Sequence, residues 1–128
     1  MADIGCGTAV LALAAAAVLP DARILASDID QVAVDVALAN AAINGMTGRI
    51  ICMEAAGFAH PVLAQAAPFD LIFANILEAP LRRMSYPLAA LLAPRGHLIL
   101  SGLLPANTHG VIAAYRRQGL ALDQRLLL

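Results

Sequence analysis

The chain has 128 residues, of which 61% are hydrophobic, and a formal net charge of −1. The length predicts one domain, the mean hydropathy of +0.78 predicts elements buried on two faces, and the small net charge excludes a general attraction to nucleic acid or anionic lipid. Lysine is absent, which excludes a phosphate-binding loop of the Gly-Lys-Ser/Thr type and a Schiff base formed by this chain.

No apolar run reaches the roughly 18 residues that a transmembrane helix needs, and the longest, residues 9–19, ends at Pro20. No charged segment precedes an apolar one at the start, so we expect no signal peptide. Cys6 and Cys52 have neither the spacing of metal ligands nor that of a disulfide framework. We therefore expect a cytoplasmic protein without a membrane segment or a metal site.

The first stretch, residues 3–10, contains Gly5 and Gly7 separated by one residue and runs into an alanine-rich apolar segment. This pattern predicts a short strand that turns sharply into a helix, because glycine tolerates positive φ and lets a ligand approach the backbone. The free N–H groups of that helix can bind a polar or anionic group.

Strands and helices alternate along the rest of the chain. Asp30 is positioned to cap the second helix, Asn44-Gly45 ends it, and Pro87 is expected to bend or divide the fourth. A turn is predicted at 94–96. Helices are predicted at 8–19, 31–44, within 57–66, at 80–92 and at 105–118, and strands at 23–27, 49–53, 69–74, 97–103 and 120–128.

This alternation predicts an α/β fold, a doubly wound and mostly parallel sheet with helices on both faces. Ligands bind such sheets at the carboxyl ends of the strands, near the point where the strand order reverses. Gly5, Gly7, Asp28, Asn75 and the 54–57 region all follow predicted strands. We expect them to border one site.

A nicotinamide dinucleotide is one candidate ligand, because Asp28 follows the glycines at about the expected 20 residues. However, Val10 occupies the position of the third glycine, and Asp3 precedes the first two. A nearby carboxylate disfavours a pyrophosphate and favours a ligand that carries an ammonium and a sulfonium.

The segment 3–9, Asp-Ile-Gly-Cys-Gly-Thr-Ala, resembles the glycine-rich first motif of class I S-adenosylmethionine-dependent methyltransferases, and Asp28 matches the acid that binds the ribose hydroxyls. Further segments resemble the catalytic domain of the bacterial methyltransferases of ribosomal protein L11, which methylate lysine and N-terminal amino groups. These segments are 27–30, 40–45, 69–77 and 98–104.

The resemblance implies S-adenosylmethionine as cofactor and a ribosomal protein as substrate, with no direct binding of nucleic acid. Glu54 or a backbone amide near Ala56 would contact the adenine. The residues expected to bind the cofactor are Asp3, Gly5, Gly7, Asp28, Ile29, Ala56 and Asn75.

Asn75 and Ile76 are the candidate catalytic residues. Methyl transfer is an in-line displacement, so the enzyme mainly positions a neutral nitrogen. Selecting the neutral form of a lysine of pKa about 10.4 at pH 7 costs roughly 4–5 kcal/mol. The amide oxygen of Asn75 and the carbonyl of Ile76 would accept the hydrogens of the amine and orient its lone pair.

Compared with this family, the sequence lacks an N-terminal substrate-recognition domain, most of the first strand and a last strand with a Gly-Trp segment. We therefore interpret residues 1–128 as part of a catalytic domain, truncated at both ends. Residues 120–128 would form an unpaired apolar strand, which predicts a dimer through an exposed sheet edge.

The sequence leaves three alternatives open. The first is a methyltransferase that acts on another amine or a nucleic-acid base, and the second is a truncated cofactor-binding module without turnover. The third and most remote is a nicotinamide-binding domain.

Overall fold

The structure is a computed structural model, and it describes residues 1–127. Strands are β1 (Ala2–Ile4), β2 (Ile24–Asp28), β3 (Ile50–Glu54), β4 (Phe69–Asn75) and β5 (Leu92–Ser101). Helices are α1 (Val10–Val18), α2 (Gln31–Ile43), α3 (Pro61–Ala66), α4 (Glu78–Arg83), α5 (Ser85–Ala90) and α6 (Thr108–Arg116), with a 3₁₀ turn at Pro105–Asn107 before α6. Within residues 1–127, no helix combines the length and apolarity needed to cross a bilayer.

The five strands form one sheet in the order β3-β2-β1-β4-β5. Every strand pair is parallel. The chain moves outward in one direction from β1 to β3 and in the other from β4 to β5, so the order reverses between β1 and β4. This confirms the predicted doubly wound fold and places its switch point beside the glycine turn.

The sheet is covered on both faces by separate apolar clusters. One contains α1 and α2 side chains with Ile24, Ala26 and Ile50 from the strands. The other contains Leu81 of α4, Leu88 of α5 and side chains of α6. Successive strand residues point to opposite faces, and this alternation supplies both clusters from the same strands.

Helix α1 packs closely because the side chains that it buries are alanines, Ala12, Ala15 and Ala16. It begins at Val10, two residues later than predicted, because Gly7 and Ala9 have φ of 53° and 63°. These left-handed conformations cannot belong to a right-handed helix.

Two prolines determine where helices begin and break. Pro61 starts α3 at its first turn, where its missing N–H would have no partner in any case. Pro87 divides the predicted helix 80–92 into α4 and α5, with the break at Met84. The break precedes the proline because its ring clashes with the carbonyl four residues earlier, that of Arg83.

Strand β5 is longer than predicted and includes the expected turn at 94–96. Its pairing with β4 jumps from Phe69 opposite Leu92 to Leu71 opposite His97. Arg95, with φ of 66°, lies within this bulge. The strand then ends at Ser101 instead of residue 103.

The prediction of a last strand at 120–128 is wrong for residues 120–127, which form neither strand nor helix. Leu128 lies outside the described residues. Gly119 has φ of 84°, and the Leu120 N–H bonds back to the Tyr115 carbonyl at 3.3 Å. A strand needs a neighbour for its backbone groups, and β5 does not provide one for this segment.

Candidate functional site

The glycine turn follows β1 and is anchored to the neighbouring strand. Gly5 has φ of 70°, and the Gly5 and Cys6 N–H groups donate to the Ser27 carbonyl at 2.8 and 3.0 Å. A Cβ at Gly7 would meet no atom within 4 Å. The turn therefore leaves open space above the backbone of Gly7, as a ligand cradle requires.

Asp3, in the middle of β1, is buried with only one of its carboxylate oxygens bonded. Oδ2 accepts from the Ala12 N–H at 3.1 Å, so the carboxylate caps the first turn of α1. Oδ1 is buried without a partner. Burial raises the pKa of Asp3 from 3.8 to about 6, against the lowering effect of the Ala12 hydrogen bond.

Asp28 ends β2 and connects it to the glycine turn. Its Oδ2 accepts from the Gly7 N–H at 2.8 Å, and its Oδ1 accepts from the Asp30 N–H at 3.1 Å. Asp30 in turn caps α2 by accepting from the Val32 N–H at 2.9 Å, as predicted. Each Asp28 oxygen retains a further lone pair for an incoming hydroxyl.

Asn75 is exposed at the carboxyl end of β4, opposite Ser101 of β5. Ile76 follows and is half-buried. A Cβ at Gly5 would overlap the Ile76 side chain, and a Cβ at Gly102 would lie 2.6 Å from Asn75 Oδ1. Asn75 and Ile76 are thus seated against two glycines.

A cavity of about 260 Å³ opens at this edge of the sheet. Four predicted residues line it, namely Asp3, Gly5, Gly7 and Asn75, and so do Cys6, Thr8, Val10 and Leu11. Asp28 reaches the same place through its bond to Gly7. Ile29 and Ala56 are exposed on the loops after β2 and β3 and are not among the lining residues.

Cys6 lines the cavity, but its thiol is not set up as a nucleophile. Burial, followed by the nearby Asp3 carboxylate, raises the pKa of Cys6 to about 12. A thiol that stays protonated at neutral pH is unreactive. In the part of the chain that the structure describes, no group of three or more His, Cys, Asp and Glu side chains could hold a metal ion.

A larger groove of about 480 Å³ lies at the last turns of α4 and α6. Arg82, Arg83 and Arg117 line it, and Arg82 pairs with Glu78 at 3.3 Å. Arginines at helix ends also complement the helix dipole. None of the predicted site residues lines this groove.

Gly102 lies beside the candidate site, and no role for it was predicted from the sequence, although it belongs to the segment 98–104 that resembles the family. It was predicted inside a strand, whereas it follows β5 with φ of 77° and lies beside Asn75. A Ser-Gly pair at the end of an apolar run was the available signal, since glycine there can mark a turn with positive φ.

The chain has a class I methyltransferase fold. Three features define it: a parallel sheet with a glycine turn at its switch point, an acid that ends the second strand, and an open cleft between the turn and the acid. The family model for ribosomal protein L11 methyltransferase (PrmA) matches residues 1–126. The chain belongs to this family.

Individual relatives agree. A ribosomal protein L11 methyltransferase from Rhodopseudomonas palustris is 47% identical over 126 residues, which are 98% of this chain and 42% of the relative. One from Brucella suis is 48% identical, covering 97% of this chain and 43% of the relative. A crystal structure of ribosomal protein L11 methylase from Lactobacillus delbrueckii subsp. bulgaricus has a TM-score of 0.89 at 29% identity, covering 99% of this chain and 63% of that one. The chain thus spans less than half the length of these two curated relatives.

Proposed function

We propose that this chain carries the cofactor-binding and catalytic site of an S-adenosylmethionine-dependent methyltransferase whose acceptor is an amino group of ribosomal protein L11. The observation that carries the proposal is that the glycine turn, Asp28 and Asn75 converge on one cleft. Residues 1–128 are then a catalytic unit within a longer family architecture. A protein that methylates a ribosomal component would act in the cytoplasm.

The chemistry of the cleft fits S-adenosylmethionine. The unpaired Asp3 Oδ1 offers a carboxylate oxygen to the positive end of the cofactor, and the space above Gly7 admits it close to the backbone. Asp28 has lone pairs left for the ribose hydroxyls. Ile29, of which 73% is exposed, and the backbone at Ala56 would flank the nucleoside.

When bound, the cofactor would supply an activated methyl group on a sulfonium. The lone pair of the neutral acceptor nitrogen attacks the methyl carbon, so the N–C bond forms as the C–S bond breaks, the thioether S-adenosylhomocysteine leaves, and the methylated ammonium releases one proton to solvent. Asn75 and Ile76 orient that nitrogen. Their carbonyl oxygens accept the N–H hydrogens of the neutral amine and thereby fix its lone pair direction. Positioning of this kind lowers the barrier without a strong base.

Calorimetry with S-adenosylhomocysteine tests the cofactor site. Asp28→Asn removes a charge that accepts from ribose hydroxyls, and we expect the affinity to fall on the order of tenfold or more, because hydrogen bonds to charged groups are worth about 1.5–3 kcal/mol. Asp35→Asn, an exposed carboxylate on α2 bonded to Gln31, is the matched control and should bind like wild type. Equal affinity of all three proteins, or no binding by wild type, would reject the proposal.

A methyl-transfer assay separates the acceptor classes. The same protein is offered ribosomal protein L11, an RNA oligonucleotide and a small primary amine with radiolabelled cofactor. Transfer to L11 alone supports the proposal. Transfer only to the oligonucleotide or the small amine would reassign the acceptor, and cofactor binding without any transfer would show a binding module.

A further inference from the structure

Gly102 lies so near the Asn75 amide that a residue with a side chain could not occupy its place without a clash. Gly102 follows Ser101, the β5 residue that pairs with Asn75, and has φ of 77°. A Cβ on Gly102 would lie 2.6 Å from Asn75 Oδ1 and 3.4 Å from the Ile76 carbonyl oxygen. Any side chain at 102 would therefore meet both groups that are proposed to accept hydrogens from the amine.

We propose that Gly102 is the positioning residue that fixes the Asn75 amide for the methyl acceptor. Its bare Cα lets the amide oxygen lie against the β4–β5 end, beside the Ile76 carbonyl. On the opposite side, Ile76 lies over Gly5 of the cofactor turn, where a Cβ would overlap it. The dipeptide is held between two glycines, one on the cofactor side and one on the β5 side.

In this arrangement the position of the Asn75 amide can change without unfolding of the protein. Asn75 is exposed and its amide is the end of a flexible side chain, so a methyl group at 102 can push it aside. The cost to the fold is then the strain of a side chain at φ of 77° and not the contact with Asn75. The displaced oxygen no longer accepts at the same point. A misplacement of about 1 Å in a positioned group lowers turnover by up to about 100-fold.

The contact can be tested without activity. Three-bond couplings to Asn75 Cγ report χ1, and nuclear Overhauser contacts of the Nδ2 protons report χ2. We expect one rotamer in wild type and a changed or averaged one in Gly102→Ala. Gly119→Ala is the matched control, because Gly119 also has positive φ but a Cβ there would meet no atom within 4 Å. It should lose similar stability and keep the wild-type rotamer. An unchanged Asn75 rotamer in Gly102→Ala would overturn the proposal, and so would unfolding of Gly102→Ala alone, because the clash would then not be relieved by Asn75.

The role of this contact in catalysis rests on the proposed function. We expect Gly102→Ala to lower kcat on the order of 10- to 100-fold and to have little further effect in an Asn75→Ala background. Additive effects in that cycle would overturn the role of Gly102. An inactive wild type would instead reject the proposed function, and the rotamer measurement would still decide the contact.

Discussion

Asp3 combines a structural and a ligand-directed role in one carboxyl group. Its Oδ2 satisfies an N–H at the start of α1, while its Oδ1 remains buried and unpaired. A buried charged oxygen without a partner destabilises the folded state, and the raised pKa of Asp3 expresses this cost. Asp3 lies at the edge of the cleft, so a cationic group of a ligand could pair with Oδ1 and remove this destabilisation.

Asp3→Asn should therefore change how stability depends on pH. Because the pKa of Asp3 is raised from 3.8 to about 6, the native state holds its proton across this window, and stability falls as pH rises through it. The substitution should be nearly neutral at about pH 3.5, below both pKa values, and stabilising by about 3 kcal/mol at about pH 8. Urea unfolding at both pH values measures this difference. Asp35→Asn should show no such change, and a pH-independent difference for Asp3→Asn would contradict the prediction.

At the level of residues, the sequence predicted which candidate site residues lie together where their placement follows from the end of a strand. Gly5, Gly7 and Asn75 meet because parallel strands end at one edge of the sheet, and Asp28 joins them through one hydrogen bond. The contact of Asn75 with Gly102 could not be predicted from the sequence, because it depends on where β5 ends. Only the register of β4 against β5 places Gly102 beside the amide.

At the scale of elements, order and type were predictable except for the last strand, and the boundaries that failed depend on tertiary contacts. The split of helix 80–92 at Met84 instead of Pro87 depends on a clash one turn before the proline. The bulge at Arg95 depends on pairing with β4, which no local pattern records. Residues 120–127 were predicted wrongly for the same reason. Their apolar composition predicts a strand, but a strand also needs a neighbouring strand to pair with, which composition does not reveal.

Helices α4 and α6 are joined by one buried hydrogen bond that no sequence pattern predicted. The Tyr115 hydroxyl donates to the Leu81 carbonyl at 3.0 Å, and both residues are buried. Burial raises the pKa of Tyr115, so the hydroxyl keeps its proton and continues to donate at neutral and moderately alkaline pH. This bond ties the helix that follows the Asn75 segment to α6.

Tyr115→Phe should lower the free energy of unfolding by about 1–2 kcal/mol, because the Leu81 carbonyl would lose its side-chain partner inside the core. Urea unfolding followed by circular dichroism measures the change. Tyr86→Phe is the matched control: 70% of Tyr86 is exposed, and its loss of a hydroxyl should change stability by less than about 0.5 kcal/mol. Equal effects of the two substitutions would show that the bond contributes nothing.

At the scale of the whole molecule, β5 is one of the two edge strands of the described sheet, the other being β3. It pairs with β4 on one side and, among the described residues, with no strand on the other. None of its ten residues is fully buried, and 49% of Ile99 is exposed. An unpaired apolar edge is a template for another chain. The dimer through an exposed sheet edge stays a prediction, and β5 is a described edge at which it could form.

We propose that two copies associate through β5, and Ile99→Lys tests this. In a twofold dimer the substitution occurs twice at the interface, so charged side chains at the apolar edge should weaken the dimer on the order of tenfold or more, equivalent to at least about 1.4 kcal/mol. Sedimentation velocity over a concentration series measures the dissociation constant. Val18→Lys, at a more exposed apolar position at the end of α1, should leave the dimer intact because it lies away from β5. A wild-type chain that sediments as a monomer throughout, or equal weakening by both lysines, would refute association through this edge.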